Sequence, residues 1–225
     1  MPRRKQFKYN QVNQFSNVFD SKNLELNDTN LNLEKLEKYP LFFQSQHPLV
    51  LELGCGYGEY TNSLARFFPQ KNFIGVDIKG DRLWKGAKFA TENKLANVAF
   101  LRSDIKKIIT YFGPQSVDEI WVTFPDPQPN KPRKRLFYKD FLQIYEVLLK
   151  PGGLLFLKTD NRDFFGFSLS ELTGNANFKV LAKTSDLYKS EILAEAFDIQ
   201  TRYEKKFTAL GFDICFLKAE RAANL

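Results

Sequence analysis

Histidine and cysteine are nearly missing from this chain. His47 stands alone, and Cys55 and Cys215 are the only cysteines. With one imidazole, a histidine-based triad or a histidine-rich metal site is nearly excluded, so no metal is expected, and His47 before Pro48 reads as a loop residue. Two thiols this far apart do not make a disulfide framework. No apolar stretch reaches the ~18 residues that a membrane span needs, and the basic start Met1-Pro2-Arg3-Arg4-Lys5 leads into no hydrophobic signal region. A reducing cytoplasm, without membrane attachment, is the expected setting. Internal repeats and low-complexity blocks are also lacking.

What is present is positive charge and a regular apolar rhythm. The 33 lysines and arginines outnumber the 26 acids, giving +7 and a polyanion as the favoured partner. At 225 residues the chain is long enough for one well-buried core and short for two. Residues 1–45 read as a basic tail followed by a helical extension, and 46–225 as one folded domain. In the tail, Arg3, Arg4, Lys5 and Lys8 are interleaved with Phe7 and Tyr9, a pattern that fits either nucleic-acid contact or a solvated terminus. Leu31, Leu33, Leu36 and Tyr39 have helical spacing up to Pro40, and residues 1–47 show no sheet-like alternation.

From Pro48 the chain alternates apolar strands with amphipathic helices. Leu49-Val50-Leu51-Glu52-Leu53 is a short apolar run that breaks into Gly54-Cys55-Gly56-Tyr57-Gly58, which suits a buried strand and a turn where backbone approaches a ligand. Further strands are expected at 73–77, 98–101, 119–124, 154–158 and 212–218. Helices are expected at 60–68, 79–92, 105–111, 138–149 and 204–210, with Lys150-Pro151-Gly152-Gly153 as a helix stop and turn. Such alternation implies an α/β fold with parallel pairing and helices on both faces of the sheet.

Acids recur where these strands end: Glu52, Asp77, Asp104, Asp126 and Asp160. Ligands of open α/β sheets sit outside the carboxyl ends of the strands. A row of carboxylates repels a pyrophosphate and attracts a cation, and S-adenosylmethionine is such a cation. Asp77, ending the second strand, suits ribose hydroxyls, and Asp104 suits the adenine amine. Gly54, Gly56 and Gly58 admit the methionine portion, with Glu52 balancing its charge. A nicotinamide cofactor shares the ribose-binding acid but not this glycine spacing. In Phe124-Pro125-Asp126-Pro127 the two prolines hold Asp126 in a rigid turn. The cations Lys131, Arg133, Lys134 and Arg135 follow at once, as phosphate contacts that position a nucleic acid.

Taken together, Leu51 to Gly58, Gly75-Val76-Asp77, Phe124-Pro125-Asp126-Pro127, Lys158-Thr159-Asp160 and Thr201-Arg202-Tyr203-Glu204-Lys205-Lys206-Phe207 resemble the bacterial tRNA (guanine-N7)-methyltransferases of the TrmB type. The resemblance spans roughly residues 45–218. It implies a Rossmann-like class I methyltransferase fold with a mostly parallel, seven-stranded sheet, S-adenosylmethionine as cofactor and tRNA as partner. The implied reaction is methylation of N7 of guanine 46 in the tRNA variable loop. By match to the family motifs, Glu52, Asp77, Asp104 and Asp126 bind cofactor beside Gly54 and Gly56 of the glycine turn, Asp126 is also catalytic, and Asp160, Thr201 and Glu204 bind substrate, with Lys131 a substrate-binding candidate from outside the matched positions. One departure stands out: where the family usually has Trp and Lys after the catalytic Asp, this chain has Gln128 and Asn130, so Lys131 is the candidate for the missing charge.

The chemistry implied is undemanding in one respect. N7 of neutral guanine already carries a lone pair, so methyl transfer needs alignment rather than a strong base, and positioning contributes about 7–11 kcal/mol at best. A carboxylate near the purine meets the positive charge that develops there. Two other readings stay open: a methyltransferase of another RNA or of a small molecule, and a non-catalytic RNA-binding relative. A monomer or a homodimer fits either.

Overall fold

The computed structural model describes residues 3–21, 43, 46–196 and 199–223. It divides into two compact units, up to Gly113 and from Pro114 onward. Among the described residues no helix is long and apolar enough to cross a membrane, and no cluster of acids, histidine and cysteine could hold a metal ion.

The first unit contains helix α1 (Arg3–Gln11), strand β1 (Val18–Asp20), β2 (Leu49–Leu53), helix α2 (Glu59–Phe67), β3 (Asn72–Asp77), helix α3 (Gly80–Glu92) and β4 (Val98–Arg102). Its strands lie in the order β1-β4-β3-β2, all parallel. Strands β2 to β4 are buried along nearly their whole length. That is why they appear as continuous apolar runs rather than as alternating ones. Register pairs Leu53 with Val76 and Asp77 with Arg102, so the three strands end together and their carboxyl ends share one edge.

The N-terminal part departs from expectation. It is a helix, a short 3-10 turn at Val12–Gln14 and a three-residue strand that pairs with β4. A strand of three residues is too short to show alternation, and the open edge of β4 supplies its partner. Arg102 secures it, donating to Asp20 Oδ2 at 2.7 Å and to the Tyr9 hydroxyl at 2.5 Å, with its guanidinium 4.3 Å over the Tyr9 ring. Burial alone would lower the Arg102 pKa, but Tyr9 and Asp20 outweigh it and hold the group above its ordinary value. Tyr9 is thus engaged within the fold. Trp84 of α3 joins the same junction, donating to Gln11 and packing edge-on against Phe15. The expected helix around Leu31–Tyr39 lies outside the described residues.

The second unit holds β5 (Val117–Thr123), α4 (Lys139–Leu148), β6 (Leu149–Thr159), α5 (Arg162–Thr173), β7 (Phe178–Thr184), α6 (Arg202–Ala209) and β8 (Cys215–Arg221). Its strand order is β5-β6-β8-β7, with β5 and β6 parallel and β8 antiparallel to both neighbours. Trp121 and Phe156, on paired strands, stack at 3.9 Å in its core. Strands among the described residues therefore number eight rather than seven, still mostly in parallel register, and β1 is the addition. Lys150-Pro151-Gly152-Gly153, expected as a turn between helix and strand, is an irregular stretch inside β6. Its register slips between the Val117 and Glu119 pairings, and Gly152 takes a φ of 77°.

Candidate active site

In the first unit the site residues converge on the turn after β2. The amides of Gly54 and Cys55 both donate to the carbonyl of Val76, tying the turn to the end of β3. Asp77 accepts from Gly56 N at 2.9 Å and from Lys79 N at 2.8 Å. One carboxylate thus fixes the glycine turn and the entry to α3, and lone pairs remain for a ligand's hydroxyls. Glu52 is almost fully buried and accepts from both the backbone N–H and the hydroxyl of Thr61 in the first turn of α2. Its charge is favourable there, at the positive end of the α2 helix dipole, whose Thr61 amide it takes.

Two features of the turn suit a cationic ligand. A Cβ built on Gly56 (φ 56°) would meet nothing within 4 Å, whereas one on Gly58 (φ 66°) would strike Phe100 at 2.4 Å. The turn is packed behind and open in front. The Cys55 thiol is pushed well above its ordinary pKa by burial and then by the charges of Glu52 and Asp77. The carboxylates of Asp77 and Glu52, bonded at Gly56 and Thr61, place negative charge beside the turn, which suits a sulfonium and an ammonium rather than a pyrophosphate. S-adenosylmethionine fits these residues.

Asp104 follows β4, caps the 3-10 helix Ile105–Thr110 by accepting from Lys106 N, and is exposed. It lines a pocket of about 190 Å³ together with Ile78, Arg102, Ser103, Lys107 and Asp20. Ile78, apolar and 59% exposed, gives that pocket a wall suited to a flat ring beside the acid.

In the second unit, Thr123 pairs with Lys158, so Asp126 and Asp160 leave the same edge of adjacent parallel strands. The Phe-Pro-Asp-Pro turn is strained: Phe124 and Gln128 have φ of 48° and 45°, a region that costs a non-glycine residue about 1–3 kcal/mol. Phe124 N is anchored on the carbonyl of Lys158, and Asp126 Oδ1 accepts from Gln128 N at 3.1 Å. The Asp126 side chain is exposed beyond the sheet. Lys131, Arg133 and Lys134 are exposed as well, around the 3-10 turn Pro132–Lys134. Arg135 differs from them, half-buried with its guanidinium 4.6 Å from the Phe167 ring.

Thr201 and Glu204 are brought together, but as a capping box at the start of α6. Thr201 Oγ1 accepts from Glu204 N, and Glu204 Oε2 accepts from Thr201 N. The Thr-x-x-Glu spacing is itself the sequence sign of that box. Glu204 is completely buried against Lys158, a residue to which sequence reasoning gave no role. A lone lysine closing the apolar run 154–158 is the signal that could have found it, because a buried ammonium needs a carboxylate partner.

Residues 46–217 match a family model described as "Putative methyltransferase". The chain is 44% identical over 217 residues to the tRNA (guanine-N(7)-)-methyltransferase of Christiangramia forsetii, covering 95% of each. It is 45% identical over 186 residues to the enzyme of the same name from Cytophaga hutchinsonii, covering 81% of this chain and 84% of that one. Among solved structures, the 16S rRNA methyltransferase KamB superposes with a TM-score of 0.64 at 16% identity, over 83% of this chain and 94% of that one. That likeness shows the shared fold.

Proposed function

The chain belongs to the family of tRNA (guanine-N7)-methyltransferases and depends on S-adenosylmethionine, and on that premise we propose that it methylates N7 of guanine 46 in the variable loop of tRNA. Residues 46–225 form the methyltransferase domain in this reading. The observation that carries it is the acids at the carboxyl ends of the parallel strands in each unit, with an exposed basic turn directly after Asp126.

Bound S-adenosylmethionine supplies a methyl group made electrophilic by its sulfonium. The residues of the chain do the positioning. Asp77 and the Gly54–Gly58 turn receive the ribose and methionine portions, Asp104 and Ile78 the adenine, and Glu52 keeps the turn closed on α2 while adding negative potential. Asp126 projects from a turn stiffened by Pro125 and Pro127, orients the purine and faces the positive charge that grows on it as N7 is alkylated. Asp160 accepts from guanine N1–H and the exocyclic amine. Thr201 and Glu204 serve the same substrate side through the fixed start of α6. Lys131, Arg133, Lys134 and Arg135 hold phosphates and set the register of the RNA.

The test is methyl transfer from labelled S-adenosylmethionine to an unmodified tRNA transcript, beside a transcript in which guanine 46 is adenine. Label on the first alone, recovered as 7-methylguanosine, is the expected result. Equal labelling of both transcripts, or none, would overturn the assignment.

A further inference from the structure

Lys158 sits near the end of β6, two residues before Asp160, with its side chain 1% exposed. Its Nζ lies 2.6 Å from Glu204 Oε1 and donates to the carbonyl of Ile199 at 2.9 Å. The same Glu204 oxygen accepts from the Tyr188 hydroxyl at 2.8 Å, and that hydroxyl accepts from Gln200 Nε2 at 2.9 Å. Glu204 Oε2 takes the amide of Thr201. One ammonium on an inner strand of this unit thereby gathers the Leu187–Lys189 turn, the Ile199–Thr201 stretch and the first turn of α6.

Apolar side chains would fill this volume at no electrostatic cost, since a buried ion pair seldom stabilises more than a well-packed apolar replacement. What the pair adds is geometry. A charge with its partners at fixed distances permits one arrangement of the segments it joins, where packed methyl groups tolerate several. The exposed side chains of this neighbourhood, Arg202 and Tyr203, are displayed from the turn that Glu204 caps, while Asp160 leaves the strand that carries Lys158.

We propose that Lys158 is a positioning residue for tRNA methylation: through Glu204 and Tyr188 it locks the start of α6 to the end of β6, so that Asp160, Arg202 and Tyr203 present one fixed surface to the RNA. Thr201 and Glu204 then act on substrate by holding this surface rather than by touching the base. The inference rests on the tRNA reading above.

Three variants of the full chain test it: Lys158→Met, the double variant Lys158→Met with Glu204→Gln, and Tyr188→Phe. Lys158→Met leaves Glu204 buried without its cation. The double variant removes both charges, while the glutamine side chain introduced by Glu204→Gln keeps the shape and the capping bonds. Expected are a fall of about 10²-fold in kcat/KM for tRNA in both Lys158 variants, an unchanged Kd for S-adenosylmethionine, and recovery of the melting temperature in the double variant without recovery of kcat/KM. Tyr188→Phe keeps the ion pair and folding, and kcat/KM is expected to drop about tenfold, a loss of about 1.4 kcal/mol. Amide exchange, which needs no tRNA, should quicken at residues 199–204 in Lys158→Met while β6 keeps its protection. Wild-type kinetics in Tyr188→Phe and the double variant, or kinetics that recover in step with melting temperature, would make the pair purely structural and overturn the proposal. Failure of the unaltered chain to methylate tRNA would overturn the functional reading instead, and the exchange pattern would still report the lock.

Discussion

Gly56 and Gly58 lie two residues apart in one turn, both with positive φ, yet alanine should affect them differently, one chiefly in stability and the other in ligand binding. At Gly58 the new methyl would sit 2.4 Å from Cε1 and 2.8 Å from Cζ of Phe100, a fully buried ring, and 3.2 Å from the backbone of Gly86. The left-handed conformation costs an alanine about 1–2 kcal/mol, and forcing a methyl into a packed core costs about 1–3 more. Gly58→Ala should therefore lose about 2–5 kcal/mol of stability. For a chain of this size each kcal/mol lowers Tm by about 2–4 °C. At Gly56 the methyl would meet nothing within 4 Å, so only the conformational cost applies. That methyl would occupy the open side of the turn, where the methionine portion of the cofactor is expected. A steric cost of about 1–3 kcal/mol there weakens S-adenosylmethionine by about 5- to 150-fold. Thermal unfolding without ligand, together with calorimetric titration of S-adenosylmethionine, separates the two effects. If Gly56→Ala melted as low as Gly58→Ala, or bound the cofactor unchanged, the division of the turn into a packed back and a ligand-facing front would be refuted.

Asp126→Asn keeps an oxygen for the amide of Gln128 and lies at an exposed position, so melting should not change, while kcat should fall by about 10²-fold if charge at that turn matters. Full turnover would remove the electrostatic role. Replacing Arg133 and Lys134 with alanine should weaken tRNA binding and flatten the plot of log affinity against log salt by about 0.7–0.9 for each phosphate no longer neutralised, with cofactor affinity unchanged. An unaltered salt slope would take the basic turn out of the interface. Cys55 should resist iodoacetamide at pH 8 in the folded chain and react on denaturation, because burial and then Glu52 and Asp77 hold its thiol protonated. Its folded pKa exceeds its unfolded one, so the associated stability is fully present below the unfolded pKa of about 8.5 and declines as pH rises above it. Denaturant titrations of the wild type and Cys55→Ser at about pH 7 and pH 9.5, on either side of that value, would show this as a smaller pH-dependent loss in the variant.

The elements that position the acids were legible in the amino-acid order because their signals are local. Buried parallel strands such as Val98–Arg102 appear as unbroken apolar runs, and helices such as Gly80–Glu92 carry apolar faces at helical spacing. An acid at or just past a strand's carboxyl end therefore lies at the edge where such sheets bind ligands, which is how Glu52, Asp77, Asp104, Asp126 and Asp160 could be picked out from the sequence. Recognition of the family rested on the same kind of signal, short motifs at fixed order along the chain.

What lay beyond the sequence is non-local. Val18–Asp20 becomes a strand only because β4 offers an edge and Arg102, 82 positions away from Asp20, holds it there. Irregular pairing with β5 draws Lys150–Gly153 into β6. Glu52 is adjacent in sequence to the glycine turn, but folding aims its carboxylate at Thr61 on the helix that follows. Most of all, Thr201 and Glu204, substrate groups by resemblance, are paired in a buried capping box against an ammonium 46 positions upstream of Glu204, a partner that no local pattern names. Periodicity and turn chemistry are set by neighbours in the chain, so the sequence alone determined the α/β order and the placement of the acids. The partner of a buried charge is set by which surfaces meet after folding, and only the tertiary structure decided that.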